Sequence, residues 1–119
     1  MQNESITLRV SPAGKAFMRF VAAMNSTDED RAKTFISENF SEDVLLDQGV
    51  DVVMRWFNDL KRETGGLDVH KVYLSQEHFI IVITIARTNG AMYMTKLKVT
   101  PEKPHKITEY VHEAAPRVV

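Results

Sequence analysis

The chain has no cysteine. Disulfides, thiolate nucleophiles and zinc–thiolate centres are therefore excluded. It also lacks long apolar runs. No uninterrupted one is longer than Phe79 to Ile83, far short of the ~20 residues that span a bilayer as a helix. Neither sign of charge dominates, with 15 Lys and Arg against 16 Asp and Glu. A balanced surface lacks the cationic excess that neutralises nucleic-acid phosphates or an anionic membrane, so neither partner is expected. The opening MQNESITLRV has no basic start and no apolar core, so no signal peptide is expected in this chain, and the compartment stays open. Glycine and proline are few, 5 and 4, and no internal repeat or low-complexity stretch is present.

What is there reads as one domain spanning residues 1–119, long enough to bury about two thirds of its unfolded surface. Ile6, Leu8 and Val10 alternate with polar residues and suggest a short strand or arm. Ser11-Pro12 opens a first helix, with Ser as N-cap and Pro in the first turn. Phe17, Phe20, Val21 and Met24 then fall on one helical face. Ser26 and Glu29 have capping-box spacing and predict the start of a second helix, with Ala32, Phe35 and Ile36 inward. Ser41-Glu42-Asp43 caps a short turn of helix. Beyond Gly49, Val53, Trp56, Phe57 and Leu60 mark a third long helix, which Gly65-Gly66 stops.

The apolar period then changes from 3.6 to two. Strands are expected over Leu67–Leu74, Phe79–Thr88, Ala91–Thr100 and Lys106–Ala114. Asn89-Gly90 fits a two-residue type I′ turn, and Pro101 to Pro104 reads as a loop. The expected fold class is α+β, with three N-terminal helices on a curved, mainly antiparallel four-stranded meander. The second strand is apolar on both faces: Phe79, Ile81, Ile83 and Ile85 on one, Ile80, Val82 and Ala86 on the other. A strand of this kind is covered on both faces, yet the helices reach only one. The candidates for the second cover are a sheet curled on itself, the N-terminal arm, a second protomer or a neighbouring domain.

Chemistry-bearing motifs are scarce. The four histidines, His70, His78, His105 and His112, have no metal-ligand spacing, so no metal and no cofactor are expected. Asp68 and His70 alternate on one strand and Tyr110 and His112 on another, the arrangement in which a polar neighbour orients an imidazole. A solvated strand face explains the same spacing without catalysis. No serine lies in G-x-S-x-G or S-x-x-K, and Gly14-Lys15 lacks the upstream glycine of a phosphate loop. Asp28 and Asp30 lack the glycine and closing glutamate of a calcium loop and read as first-turn acids. No catalytic residue is assigned. Trp56, Tyr73, Met92, Tyr93 and Tyr110, with Met54 and Met94, are the candidates for a ligand pocket between helices and sheet, although Trp56 also lies on the apolar stripe of its helix and suits the core.

Several short stretches carry a family resemblance. They are Pro12-Ala13-Gly14, Phe20 to Ser26, Phe35 to Phe40, Leu60 to Leu67 and Pro104-His105-Lys106-Ile107-Thr108. With the helices-then-meander order, they resemble the nuclear transport factor two-like superfamily, also called cystatin-like or polyketide-cyclase-like. More narrowly, they resemble an accessory domain found N-terminal to bacterial serine hydrolases. The resemblance implies a cystatin-like roll and, for the accessory group, no catalytic residues of its own. It leaves this chain as a free-standing version or a fragment. A non-catalytic domain is therefore expected, binding a small apolar ligand or a protein partner such as a serine hydrolase, and dimeric through its sheet. The alternative is a small isomerase, cyclase or dehydratase working by acid–base chemistry in the helix–sheet cleft. An enzyme of that kind needs a cleft of at least about 300 Å³ that holds a buried, shifted carboxylate or histidine.

Overall fold

Ser11 is the first residue that the computed structural model describes, and Ala115 is the last. Ile6, Leu8 and Val10 lie outside the described residues. Four helices precede four strands: α1 (Pro12–Asn25), α2 (Glu29–Asn39), α3 (Glu42–Gln48) and α4 (Val50–Thr64), then β1 (Leu67–Ser75), β2 (Phe79–Ala86), β3 (Met92–Val99) and β4 (Ile107–Ala114). The strands pair antiparallel in the order β1-β2-β3-β4 and do not close into a barrel. The architecture is α+β, with four helices where three were expected. The short turn after Ser41 is the additional one. No helix among the described residues is long and apolar enough to cross a membrane.

The caps follow the sequence with one correction. Ser11 caps α1 by accepting the Gly14 amide, and Ser41 caps α3 by accepting the Val44 amide. The second helix, however, is capped by Asp28, whose carboxylate accepts the Asp30 amide. Ser26, expected in that role, instead follows the last turn of α1, and its hydroxyl accepts the Asp28 amide. The serine shapes the turn and leaves the cap to the aspartate, whose negative charge also suits a helix N-terminus.

Phe20, fully buried on α1, is the hub of the core. Its ring centroid lies 4.3 Å from Tyr110 on β4, 5.7 Å from Phe57, 6.0 Å from Phe35 and 6.5 Å from Trp56. Helices α1, α2 and α4 thus meet the sheet around one ring. The inner sheet face supplies Leu67, Ile80, Val82, Leu97, Val99 and Ile107, all buried.

The junction between α4 and β1 fixes the sheet to the helices. Gly65 ends α4 in the left-handed region at φ 65°. Asn25, at the end of α1, grips the first residue of β1 from both sides: its amide nitrogen donates to the Leu67 carbonyl and its oxygen accepts the Leu67 amide. The Arg87 and Thr88 amides donate to the carbonyls of Gly66 and Thr64. This recruitment explains a second correction. The β2–β3 connection is not a two-residue turn at Asn89-Gly90. Residues 87–90 form a longer loop, closed by the Ala86 amide on Ala91 and the Gly90 amide on Ala86. The Arg87 amide continues the pairing towards β1, and the Thr88 amide, which would face β3, is committed to Thr64 instead, so β2 stops at Ala86.

Gly65 and Gly49 both have positive φ but differ in surroundings. A Cβ on Gly65 would lie 2.2 Å from the Thr88 hydroxyl, whereas one on Gly49 meets nothing within 4 Å. Alanine at Gly65 carries the left-handed penalty of about 1–2 kcal/mol together with a steric conflict; Gly49, at φ 88° and ψ 139°, lies close to the positive-φ extended region that is essentially reserved for glycine. Chemical denaturation should show G65A destabilised by more than the left-handed penalty alone, and T88A should recover the excess in the G65A background.

Candidate functional site

The helix-facing side of the sheet changes character from β1 towards β4. On β2 and β3 the apolar layer is interrupted by Thr84 and Thr95, both fully buried. On β4 the same face carries Tyr110 and His112, since Leu97 pairs with Tyr110 and Thr95 with His112. The four side chains form a polar line across three strands. The Thr84 and Thr95 hydroxyls lie 3.1 Å apart, and the Thr95 hydroxyl is 3.1 Å from His112 Nδ1. Tyr93 stacks on the His112 ring at 4.2 Å.

This line ends on two polar atoms without partners. The Tyr110 hydroxyl and His112 Nε2 are buried and make no hydrogen bond among the described residues. Burial pushes the Tyr110 hydroxyl well above its usual value, with the neighbouring Thr95 side chain pulling the other way. Burial lowers His112 to about 4. Both groups are neutral at pH 7, because the site offers little to solvate a charge. As a neutral imidazole, His112 exposes either a donor or an acceptor at Nε2, according to which way the Thr95 hydroxyl points.

Next to the line lies a cleft of about 230 Å³, lined by Phe40, Val44, Gln48, Val53, Trp56, Thr108, Glu109 and Tyr110. Its walls are placed by local structure. The Phe40 backbone bridges to Ile107, and the Ser41 amide donates to the Ile107 carbonyl. These contacts hold the α2–α3 connection against the start of β4. Ser41 then starts α3, and Gly49 turns the chain into α4. Trp56, partly buried, meets Tyr110 edge to face at 4.8 Å. Phe57, one residue on, is wholly inside the core.

The residues singled out in the sequence divide by location. Trp56 and Tyr110 share the cleft. Tyr93 lies deeper along the inner face against His112. Tyr73 is exposed at a register shift of β1, and Met92, paired with Ile85, lies on the outer face of the sheet. Neither of the last two reaches the cleft. His70 and His112 sit on opposite edge strands. Asp68 is engaged by Arg87 at 2.9 Å, not by His70. The pair His78 and His105, 5.5 Å apart, comes together through the β3–β4 loop. Among the described residues no group of three His, Asp or Glu side chains could hold a metal ion. The sequence pattern missed the threonine line. Its only trace there was the alternation of Tyr110 and His112, and the Thr95 partner depends on the β3–β4 register.

A second depression of about 150 Å³ is bordered by Lys15, Arg19, Glu38, Asn39, His105 and Lys106, with Pro12 and Pro104. Two of its cations are already engaged: Arg19 donates to Asn39 at 2.8 Å and Lys106 to the Glu38 carbonyl. No family model, no curated protein and no solved structure matches the chain.

The neutral, half-buried His112 makes stability depend on pH. Its folded value is depressed, so its contribution is complete above about 6.5, the unfolded value. It declines as pH falls towards the folded value of about 4, where only the unfolded chain binds the proton. The ring is partly open to solvent, so the expected loss is about 2 kcal/mol rather than the full value of the shift. Denaturant titrations at pH 7.5 and 4.5 should show the pH dependence of H112Q smaller by that amount than that of the unsubstituted chain.

Proposed function

We propose that this is a non-catalytic binding domain, dimeric through its sheet, that holds a small apolar molecule with one polar end in the Trp56–Tyr110 cleft. The observation that carries this reading is the cleft itself. One wall is the partly buried indole of Trp56 set edge-on to Tyr110, Phe40 and Val53 provide apolar surface, and Gln48, Thr108 and Glu109 provide polar groups. An apolar pocket with a few polar positions is the pattern of small-molecule sites. At about 230 Å³ it is smaller than the roughly 300–1,000 Å³ that suits drug-sized ligands, which favours an occupant of one ring or a short branched chain. The four helices followed by an antiparallel meander support the resemblance to the nuclear transport factor two-like superfamily. The resemblance to hydrolase-associated domains supports an accessory role, with a separate protein as the partner that such a role would serve.

The acid–base enzyme is the weaker reading. The cleft falls below the size set for it, and the carboxylate on its wall, Glu109, is exposed. His112 is not among the lining residues, and its Nε2 is sealed from solvent.

Trp56 is the only tryptophan, so its indole N–H gives one resolved amide-region signal. Titration with benzyl alcohol, p-cresol and cyclohexanol should shift that signal saturably for at least one compound. The substitution V44W, which fills the cleft, should abolish the shift while leaving the fold intact by circular dichroism. Absence of any saturable shift up to the solubility of all three compounds would count against the reading.

A further inference from the structure

Two histidines that sequence spacing keeps apart meet at one end of the sheet. His78 immediately precedes β2, and His105 lies just before β4. Their ring centres are 5.5 Å apart. The backbone on both sides is tied down. The His78 carbonyl accepts the Val99 amide, which seats it beside the end of β3. Thr100 gathers the β3–β4 loop. Its hydroxyl reaches the Glu102 and Pro104 carbonyls and accepts the Lys106 amide, and its own amide donates to the Lys106 carbonyl. His105 Nδ1 then lies 2.8 Å from the Thr100 carbonyl. A carbonyl only accepts, so Nδ1 carries the proton, and the neutral ring keeps its lone pair on Nε2. Metal-binding histidines are held in this way, one nitrogen donating to a backbone carbonyl and the other left for the ion.

We infer that His78 and His105 form a site for a divalent transition-metal ion of the kind that imidazole selects, with Zn²⁺ as the type case. Zn–N bonds are about 2.0–2.1 Å, so two imidazoles on one tetrahedral ion have ring centres about 5 Å apart. The observed separation needs only a small turn of one ring. His78 can supply it, because its side chain makes no hydrogen bond among the described residues and either of its nitrogens can face the ion. Access is open as well. Unlike His112 Nε2, the unpaired nitrogens of His78 and His105 are not sealed from solvent. Among the described residues no third His, Asp or Glu completes a ligand set. Two protein ligands leave the remaining positions to water or to an outside donor, as in open rather than closed zinc sites. The neighbouring charges set the affinity. Lys15, Arg19 and Lys106 border the depression beside His105 together with Glu38, and Arg19 and Lys106 are turned to Asn39 and the Glu38 carbonyl. Cations this close oppose a dication, so the ion is held more weakly than in a four-ligand site. Bound, it bridges the start of β2 and the loop before β4 across the end of β3. This site is independent of the Trp56–Tyr110 cleft.

The test is a Zn²⁺ titration of the unsubstituted chain at pH 7.5, followed by the Cε1–H signals of the four histidine rings. His78 and His105 should shift together and saturate at one ion per chain, with half-saturation below about 1 mM. Mg²⁺, which prefers oxygen ligands, should shift neither. H78N and H105N should each weaken binding at least about tenfold, and H70N should leave it unchanged. Zn²⁺ should also raise the unfolding midpoint of the unsubstituted chain and not that of H105N. The ring signals of the unsubstituted chain decide the matter even if a variant folds poorly. No saturable shift up to about 1 mM overturns the site, and so does a shift confined to His70 or His112. Loss of binding in H105N with H78N unaffected overturns the shared ligation.

Discussion

The constraint on which the structure depends is that β2 is apolar on both sides. Its inner residues Ile80, Val82, Thr84 and Ala86 are buried, while Phe79, Ile81, Ile83 and Ile85 are only half covered. Helices α1, α2 and α4 converge over the inner face on Phe20. Burial of that side accounts for the core, at roughly 25 cal/mol for each Å² of apolar surface removed from water. The same physics applied to the outer side is unfinished in a single chain. The helices set one boundary of the domain, and the outer face of β2 keeps its apolar residues partly open to water.

The inner face is not uniform. Where β1 and β2 meet α1 it is apolar, and towards β4 it becomes a line of hydroxyls ending on a neutral imidazole and a phenol. A buried polar group without a partner costs about 1–3 kcal/mol. Two such atoms, on Tyr110 and His112, beside a cleft, mark the β4 side as the part of the domain whose structure is not accounted for by stability alone. The β1 side, pinned by Asn25 and the Thr64–Gly66 junction, has its hydrogen bonds satisfied locally and serves as the anchor.

Local chemistry made much of this legible in the sequence. The stripe Phe17, Phe20, Met24 is buried, Ser11 and Ser41 cap their helices, Gly65 stops α4, and the alternation in β2 predicts both of its faces. Every feature that escaped depends on contacts distant in sequence. Capping-box spacing singled out Ser26 and left Asp28 as a first-turn acid, but the end of α1 occupies Ser26 and Asp28 caps α2. Asn89-Gly90 has the composition of a tight turn, but the carbonyls of Thr64 and Gly66 claim the preceding amides. Met92 was grouped with the pocket on residue type, although its alternation with Tyr93 already placed the two on opposite faces. The Thr84–Thr95–His112 line needs the register of three strands, which no single segment specifies.

The most direct test of the account is an isotope-filtered nuclear Overhauser experiment on a mixture of labelled and unlabelled chains, observing methyl groups on the outer face. The account predicts intermolecular cross-peaks from the Ile81, Ile83 and Ile85 methyls, which a dimer through the sheet requires. Intermolecular contacts confined to other surfaces, or none at concentrations where the chain is fully associated, would contradict it.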